Sequence, residues 1–190
     1  MRKLPNFLRS HEADQLLIVA HAEATRAQSP AKARAAVIDL RGVEAGLYLG
    51  LRVSEICNLK IEHLDLGQMT TLIFQGKGSK DRWVPIPSRW LPVLIAWIGA
   101  RTDGYLFPSS RGGKISPRTL QTRFKVLGKK AQIPRPLKPH TLRHTYATRL
   151  LERGASIIEV QELLGHASIQ TTQVYTHTVP ERLRGAVERL

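Results

Sequence analysis

The sequence predicts a single, mainly α-helical domain that carries a small antiparallel β-hairpin. Apolar residues recur at helical spacing through most of the chain, as at Val37, Leu40 and Leu47. Only residues 70–86 have the β-branched and aromatic pattern of strands. At 190 residues, the chain is long enough for one sizeable core and too short for two ordinary domains.

The first half of the chain contains predicted helices and the hairpin. Helical spacing predicts helices over residues 31–48, 53–59 and 89–99. Two strands are predicted at residues 71–74 and 82–86, and residues 75–81 join them as the hairpin loop. The Gly-Lys-Gly tip of this loop, around Lys77, allows the backbone to approach another surface closely.

Capping residues locate the helices of the second half. Ser116 and Pro117 have the residue types that begin a helix. A helix over residues 140–153 is predicted to stop at Gly154. The same capping signals predict further helices over residues 156–164, from Ser168 towards Tyr175, and over residues 181–190.

The charge of the chain favours a nucleic-acid partner. Lys and Arg number 29 against 15 Asp and Glu, which gives a net charge of +14. A polyanion would relieve this self-repulsion, and each neutralised phosphate releases condensed counterions. A membrane surface usually recruits one concentrated basic helix or tail, whereas the basic residues here are spread along the chain. We therefore expect DNA as a partner and no membrane.

Cysteine content and the start of the chain bear on its location. Cys57 is the single cysteine, so an intrachain disulfide cannot form and a reducing cell interior is the natural setting. Residues 1–9 are basic and lack the apolar stretch of a signal peptide. We expect a cytoplasmic, nucleoid-associated protein.

Histidine, arginine and tyrosine side chains near the C-terminus are candidates for chemistry. A helix places His140, Arg143 and His144 on one face, because residues three and four apart are neighbours. The histidine spacing also fits zinc, but no carboxylate lies nearby and the surroundings are cationic, so no metal is expected. His166 and Tyr175, taken alone, are equally well explained as a turn residue and a packing residue.

Basic residues elsewhere have the chemistry to bind phosphates. Arg52 follows a glycine turn at a predicted helix start, where its planar guanidinium could bind a phosphate while Glu55 steadies it. An ordinary surface ion pair within a helix would explain Arg52 and Glu55 equally well. Further DNA contacts are predicted at Lys80, Arg82, Arg118, Lys125 and Lys138.

Four strings carry a combined signal that none of them has alone. They are GLRVSEI, GKGSKDRWVPIP, HTLRHTYAT and LLGHASIQTTQVYTH. In this order they resemble the catalytic domain of the tyrosine recombinases, the phage-integrase family, and most closely its Xer-type members. The resemblance implies that the family's active-site positions are occupied by Arg52, Lys77, His140, Arg143, His166 and Tyr175.

The resemblance also implies a reaction. Tyr175 would attack a DNA phosphodiester and form a 3′-phosphotyrosyl intermediate, with no metal, ATP or other cofactor. The two active-site arginines and His166 would stabilise the negative charge that develops on the phosphate. A tyrosine hydroxyl is a poor nucleophile at neutral pH, so His140 would accept its proton, and Lys77 would protonate the leaving 5′ oxygen.

Partners and domain organisation follow from the same resemblance. Strand exchange through a four-way junction implies double-stranded DNA and further recombinase protomers in a tetrameric synapse. We expect residues 1–190 to form one catalytic domain without the N-terminal DNA-clamp domain of larger members, either as an excised domain or as a natural single-domain recombinase. The apolar stripe of Val179, Leu183, Val187 and Leu190 would dock onto a neighbouring protomer or onto its own domain.

Two other functions stay open. Residues 156–175 have a helix, turn and helix pattern, which would suit a non-catalytic DNA-binding regulator. A topoisomerase-like enzyme would use the same covalent chemistry to relax DNA without exchanging strands. Convergence of Arg52 and Arg143 on one surface would favour the enzymes over the regulator.

Overall fold

The computed structural model describes residues 7–74, 81–165 and 181–190. Within these ranges, the chain forms eight α-helices and three short β-strands. The helices are α1 (Ser10–Thr25), α2 (Pro30–Tyr48), α3 (Val53–Asn58), α4 (Leu91–Ile98), α5 (Pro117–Lys130), α6 (Pro139–Glu152), α7 (Ile157–Leu164) and α8 (Glu181–Glu188). The strands are β1 (Leu64–Asp65), β2 (Thr70–Ile73) and β3 (Arg82–Pro85). None of these described helices has the length and apolarity needed to cross a membrane.

Helices α2 to α8 lie close to their predicted positions, and local capping signals explain the starts of α5 and α7 and the end of α7. The Ser116 hydroxyl accepts a hydrogen bond from the Thr119 backbone N–H at 3.0 Å and so begins α5. The Ser156 hydroxyl accepts from the Glu159 N–H at 3.2 Å, which begins α7. Gly165 ends α7 in the left-handed conformation, with φ of 67°. The mainly helical fold class is confirmed.

Helix α1 is absent from the sequence-based prediction. Four consecutive apolar residues, 16–19, hide its helical spacing, and the structure buries Leu16 completely while leaving Ile18 62% exposed. Its start lacks a serine or threonine cap. Instead, the Glu12 carboxylate accepts a hydrogen bond from the Arg9 backbone N–H at 2.7 Å. The helix packs along α2.

The three strands form one antiparallel sheet in the order β1-β2-β3. Thr71 lies opposite Val84 in the hairpin pair and opposite Leu64 in the pair with β1. The two hairpin strands are confirmed, whereas β1 is too short for its pattern to be read from the sequence. The hairpin turn, residues 75–80, and the helix predicted from Ser168 lie outside the described residues.

The main core surrounds α2, which contacts α1, α5 and α6. Its largest fully buried side chains include Trp90, Phe107 and Phe124. Helix α6 lies directly against α2 at Gly46, where an added Cβ would be 2.8 Å from the Leu142 Cβ. This close packing fixes α6, the helix of the HTLRHTYAT string, beside the turn that follows α2.

A second apolar cluster joins α6, α7 and α8. The described tail packs on its own domain, because Leu183, Val187 and Leu190 are all buried in this cluster. The carboxylate of Glu188 accepts hydrogen bonds from the Ser88 backbone N–H at 2.8 Å and the Ser88 hydroxyl at 2.6 Å. Of the two arrangements expected for the tail, the described chain adopts the one within its own domain.

Candidate active site

Arg52 lies at the start of α3, directly after a glycine turn. Gly50 has φ of 62°, and an added Cβ there would be 2.4 Å from the Tyr146 ring. Glycine is therefore required for the turn that presents Arg52. The Glu55 carboxylate accepts from the Arg52 backbone N–H at 2.7 Å and from Arg52 Nη1 at 3.0 Å. The Arg52 side chain remains 38% exposed, so it can also reach a ligand.

Arg143 projects from α6 into the same region and is almost fully buried. Its Nη1 donates to the Gly50 carbonyl at 2.8 Å, and its Nη2 donates to the Leu164 carbonyl at 2.6 Å. Burial, together with the nearby charge of Arg52, lowers the pKa of Arg143 to about 10. The guanidinium therefore stays protonated at neutral pH, and it links the end of α7 to the turn before Arg52.

Glu55 is the buried carboxylate that connects the arginines. Arg82 binds both of its oxygens, with Nη1 to Oε1 at 2.9 Å and Nη2 to Oε2 at 3.0 Å. Arg143 Nη1 lies 3.9 Å from Oε2. Burial opposes ionisation of Glu55, but the hydrogen bonds and charge of Arg82, with those of Arg52 and Arg143, hold its pKa below the usual range. Glu55 thus brings three guanidiniums to one point.

His140 and His144 lie on the exposed face of α6, on the first turns of the helix. Their rings meet edge to face, with centroids 5.4 Å apart. Partial burial lowers the pKa of His140, and the neighbouring His144, Arg143 and Arg52 act in the same direction. A neutral imidazole one turn from Arg143 has the protonation state of a proton acceptor at neutral pH.

The structure brings together part of the sequence-predicted site. Arg52 and Arg143 meet at Glu55, and His140 lies on the same helix as Arg143. The remaining four hairpin and C-terminal candidates lie outside the described residues: Lys77, Lys80, His166 and Tyr175. The predicted DNA contacts on the described helices and their caps are all exposed: Arg118, Lys125 and Lys138.

Arg82 is placed differently from the sequence-based expectation. The sequence predicts a DNA contact for Arg82, but its side chain is 8% exposed and is bound to Glu55 and to the Leu163 carbonyl. The strand pattern contains a signal for this position. Side chains two apart share a face, and Arg82 shares its face with Val84, which is fully buried. An arginine on the buried face of a strand indicates a partner inside the protein.

Comparison with known proteins agrees with the geometry. The sequence profile of the phage integrase family matches residues 6–182. The chain belongs to the phage integrase family. Within that family it is 48% identical over 145 residues to the tyrosine recombinase XerA of Pyrococcus furiosus, covering 74% of this chain and 50% of that protein. The Xer-like resemblance of the four strings is confirmed.

Solved structures of phage integrase relatives share the fold. A crystal structure of XerA recombinase matches with a TM-score of 0.72 and 34% identity, covering 97% of this chain and 65% of that one. The XerH site-specific recombinase bound to its difH substrate, in a pre-cleavage complex, matches with a TM-score of 0.70 and 28% identity, covering 97% and 54%. The chain thus spans about half the length of the curated relatives it matches.

Proposed function

We propose that this chain is the catalytic domain of a site-specific DNA recombinase that cleaves and rejoins DNA through a covalent link to Tyr175. The observation that carries the proposal is the meeting of Arg52 and Arg143 at the buried carboxylate of Glu55, with His140 one turn away. Membership of the phage integrase family and the likeness to XerH bound to its difH substrate support it.

The reaction uses the arrangement as follows. Attack on a phosphodiester adds negative charge to the non-bridging oxygens, and two protonated guanidiniums stabilise that charge. Arginine has five N–H donors, so Arg143 retains donors for a phosphate beyond those bound by the Gly50 and Leu164 carbonyls. His166 is the further donor in this proposal. Each such donor contributes on the order of a hundredfold or more to the rate.

Proton transfers accompany bond making and breaking. Tyr175 loses its proton to His140, whose lowered pKa keeps the imidazole neutral and able to accept. The bond between phosphorus and the 5′ oxygen breaks as the phosphotyrosyl bond forms, and Lys77 gives the leaving oxygen a proton. The phosphotyrosyl link conserves the bond energy for rejoining, so the reaction needs neither a nucleotide nor a metal.

Double-stranded DNA and further copies of the recombinase are the proposed partners. The net charge of +14 supports a polyanionic partner. Exposed basic side chains that would contact the DNA backbone are Lys138 beside His140, and Arg118 and Lys125 on α5. Paired cleavage and exchange require protomers on both DNA sites, so we include a tetrameric synapse in the proposal.

A suicide-substrate experiment tests the function. Duplexes bound by the chain would be selected from a random pool, nicked beside each candidate cleavage position and incubated with the protein. We expect a protein–DNA adduct that survives detergent and is abolished by Tyr175→Phe. Selected DNA that binds but never yields an adduct would instead support the non-catalytic regulator. Relaxation of supercoiled plasmid without exchange between sites would support the topoisomerase-like enzyme.

A further inference from the structure

Arg82 is a buried arginine that the proposed chemistry does not use. It begins β3, and three of its N–H groups donate inside the protein. Two of these hydrogen bonds reach the Glu55 oxygens, at 2.9 and 3.0 Å, and the third joins Nε to the Leu163 carbonyl at 3.0 Å. Since arginine has five N–H donors in a fixed plane, this geometry sets the orientation of the whole guanidinium.

The contact with Glu55 controls what the other arginines can do. Arg82 holds both carboxylate oxygens, while Arg52 Nη1 contacts Oε1 at 3.0 Å and Arg143 Nη1 stays 3.9 Å from Oε2. If the buried carboxylate lost its bidentate partner Arg82, it would attract the nearest remaining guanidinium, because a bidentate pair is stronger than a single hydrogen bond. Arg52 or Arg143 would then turn inwards and lose donors that are free for a phosphate.

The contact with α7 has a similar effect at the other end of Arg82. The Leu163 and Leu164 carbonyls belong to the last turn of α7, where the helix leaves carbonyls without intrahelical partners. Arg82 binds the first of them and Arg143 binds the second. The negative end of the α7 dipole also favours these cations. Strand β3, helix α6 and the end of α7 are thus fixed to one another by two neighbouring guanidiniums.

We propose that Arg82 is a positioning residue for DNA cleavage, which occupies Glu55 and the end of α7 so that Arg52 and Arg143 remain directed at the phosphate. The inference rests on the proposed function. Arg82 acts through Glu55 and does not contact the DNA.

Cleavage and binding measurements separate this role from a DNA contact. In Arg82→Met, we expect the single-turnover cleavage rate at saturating DNA to fall about a hundredfold, since small displacements of catalytic groups have effects of that size. The dissociation constant for DNA should change far less than the rate, by at most the loss of the phosphate contact of the arginine that turns inwards, because Arg82 itself does not touch the DNA. Arg111→Met, which removes the same charge from an exposed loop, is the matched control and should cleave at the wild-type rate.

The pH profile of cleavage separates positioning from a general loss of stability. Among the described residues, the charged groups facing Glu55 are Arg52 on its own helix, Arg82 on β3 and Arg143 on α6. Without Arg82, burial is less opposed and the pKa of Glu55 rises. Relative to wild type at the same pH, the defect of Arg82→Met should therefore shrink as the pH falls through that raised pKa, because a protonated Glu55 no longer draws the arginines inwards. A merely destabilised protein would show no change linked to residue 55.

A double variant completes the test and guards against misfolding. Glu55→Gln combined with Arg82→Met leaves no buried carboxylate unpaired, and its rate should be no lower than that of Glu55→Gln alone, without the added pH dependence. If the losses of cleavage rate caused by the two single substitutions multiply in the double variant, Arg82 acts independently of Glu55 and the inference is overturned. A wild-type cleavage rate in Arg82→Met, or a defect confined to DNA affinity, would also overturn it. If the wild-type protein forms no adduct, the proposed function itself has failed.

Discussion

At the scale of single residues, Glu55 determines the charge of the site. The Glu55 carboxylate pairs with the guanidiniums of Arg52, Arg82 and Arg143, so this region keeps an excess of positive charge even after pairing. Burial holds the pKa of His140 below its ordinary value, and the charges of Arg143 and Arg52 act in the same direction. In the proposed function, the same excess of positive charge attracts a phosphate. A single buried carboxylate thus allows several cations to coexist while leaving a positive field for the substrate.

Glu55→Gln should lower the free energy of unfolding by about 3–5 kcal/mol near neutral pH, because it leaves buried cations unpaired. The pKa of Glu55 in the folded protein lies below its unfolded value of about 4.3. Its stabilising contribution is therefore complete above that value and is lost as the pH falls through the lowered folded-state pKa. Urea unfolding at a series of pH values measures the difference between the two proteins.

The matched control for this prediction is Glu152→Gln on the exposed surface of α6, which should cost less than about 1 kcal/mol. The difference between wild type and Glu55→Gln should be constant near neutral pH and should shrink in acid. A difference that does not change with pH would contradict the assignment of Glu55 as an ionised partner.

At the scale of elements, the packing of α6 against the turn after α2 sets the geometry of the site. Gly46 allows α6 to approach α2, and Gly50 allows the next turn to lie against Tyr146. The Gly50 carbonyl then receives Arg143, and Arg52 follows two residues later. The two arginines meet because one helix packs against one turn without an intervening side chain.

Gly50→Ala should disturb this packing. The alanine would adopt φ of 62° and its Cβ would meet the Tyr146 ring at 2.4 Å, so backbone strain and overpacking combine. Each effect costs about 1–3 kcal/mol. Gly112→Ala, at φ of 83° in an open loop, carries the backbone cost alone. Thermal or urea unfolding compares the two variants, and equal losses would show that contact with Tyr146 does not matter.

Local signals in the sequence made most of the helices and strands predictable, whereas no local signal predicts the contacts between residues far apart in the chain. Ser116, Ser156 and Gly165 mark helix ends through bonds within a few residues, so the sequence alone locates those ends. The partner of Arg82 is 27 residues away at Glu55, and no spacing rule connects the two. The strand alternation indicates that Arg82 faces inwards, but only the fold identifies what it meets.

At the scale of the whole molecule, exposed lysines differ in their distance from the buried ionic centre around Glu55. Lys138 caps α6 immediately before the turn of His140, whereas Lys32 lies at the other end of α2 from the Gly50 turn. A helix rises about 1.5 Å per residue, so Lys32 is about 24 Å from the end of α2. The proposed DNA surface therefore contains the first lysine and excludes the second.

Salt dependence of DNA binding tests this arrangement. Removing one phosphate contact lowers the slope of log affinity against log salt by about 1 and weakens all DNA sequences about equally. Lys138→Gln should show both effects, because its exposed side chain precedes α6, the helix that carries His140 and Arg143. Lys32→Gln removes the same charge and should change neither slope nor affinity. Equal slopes for the two variants would mean that net charge alone, rather than a defined surface around His140, governs the encounter with DNA.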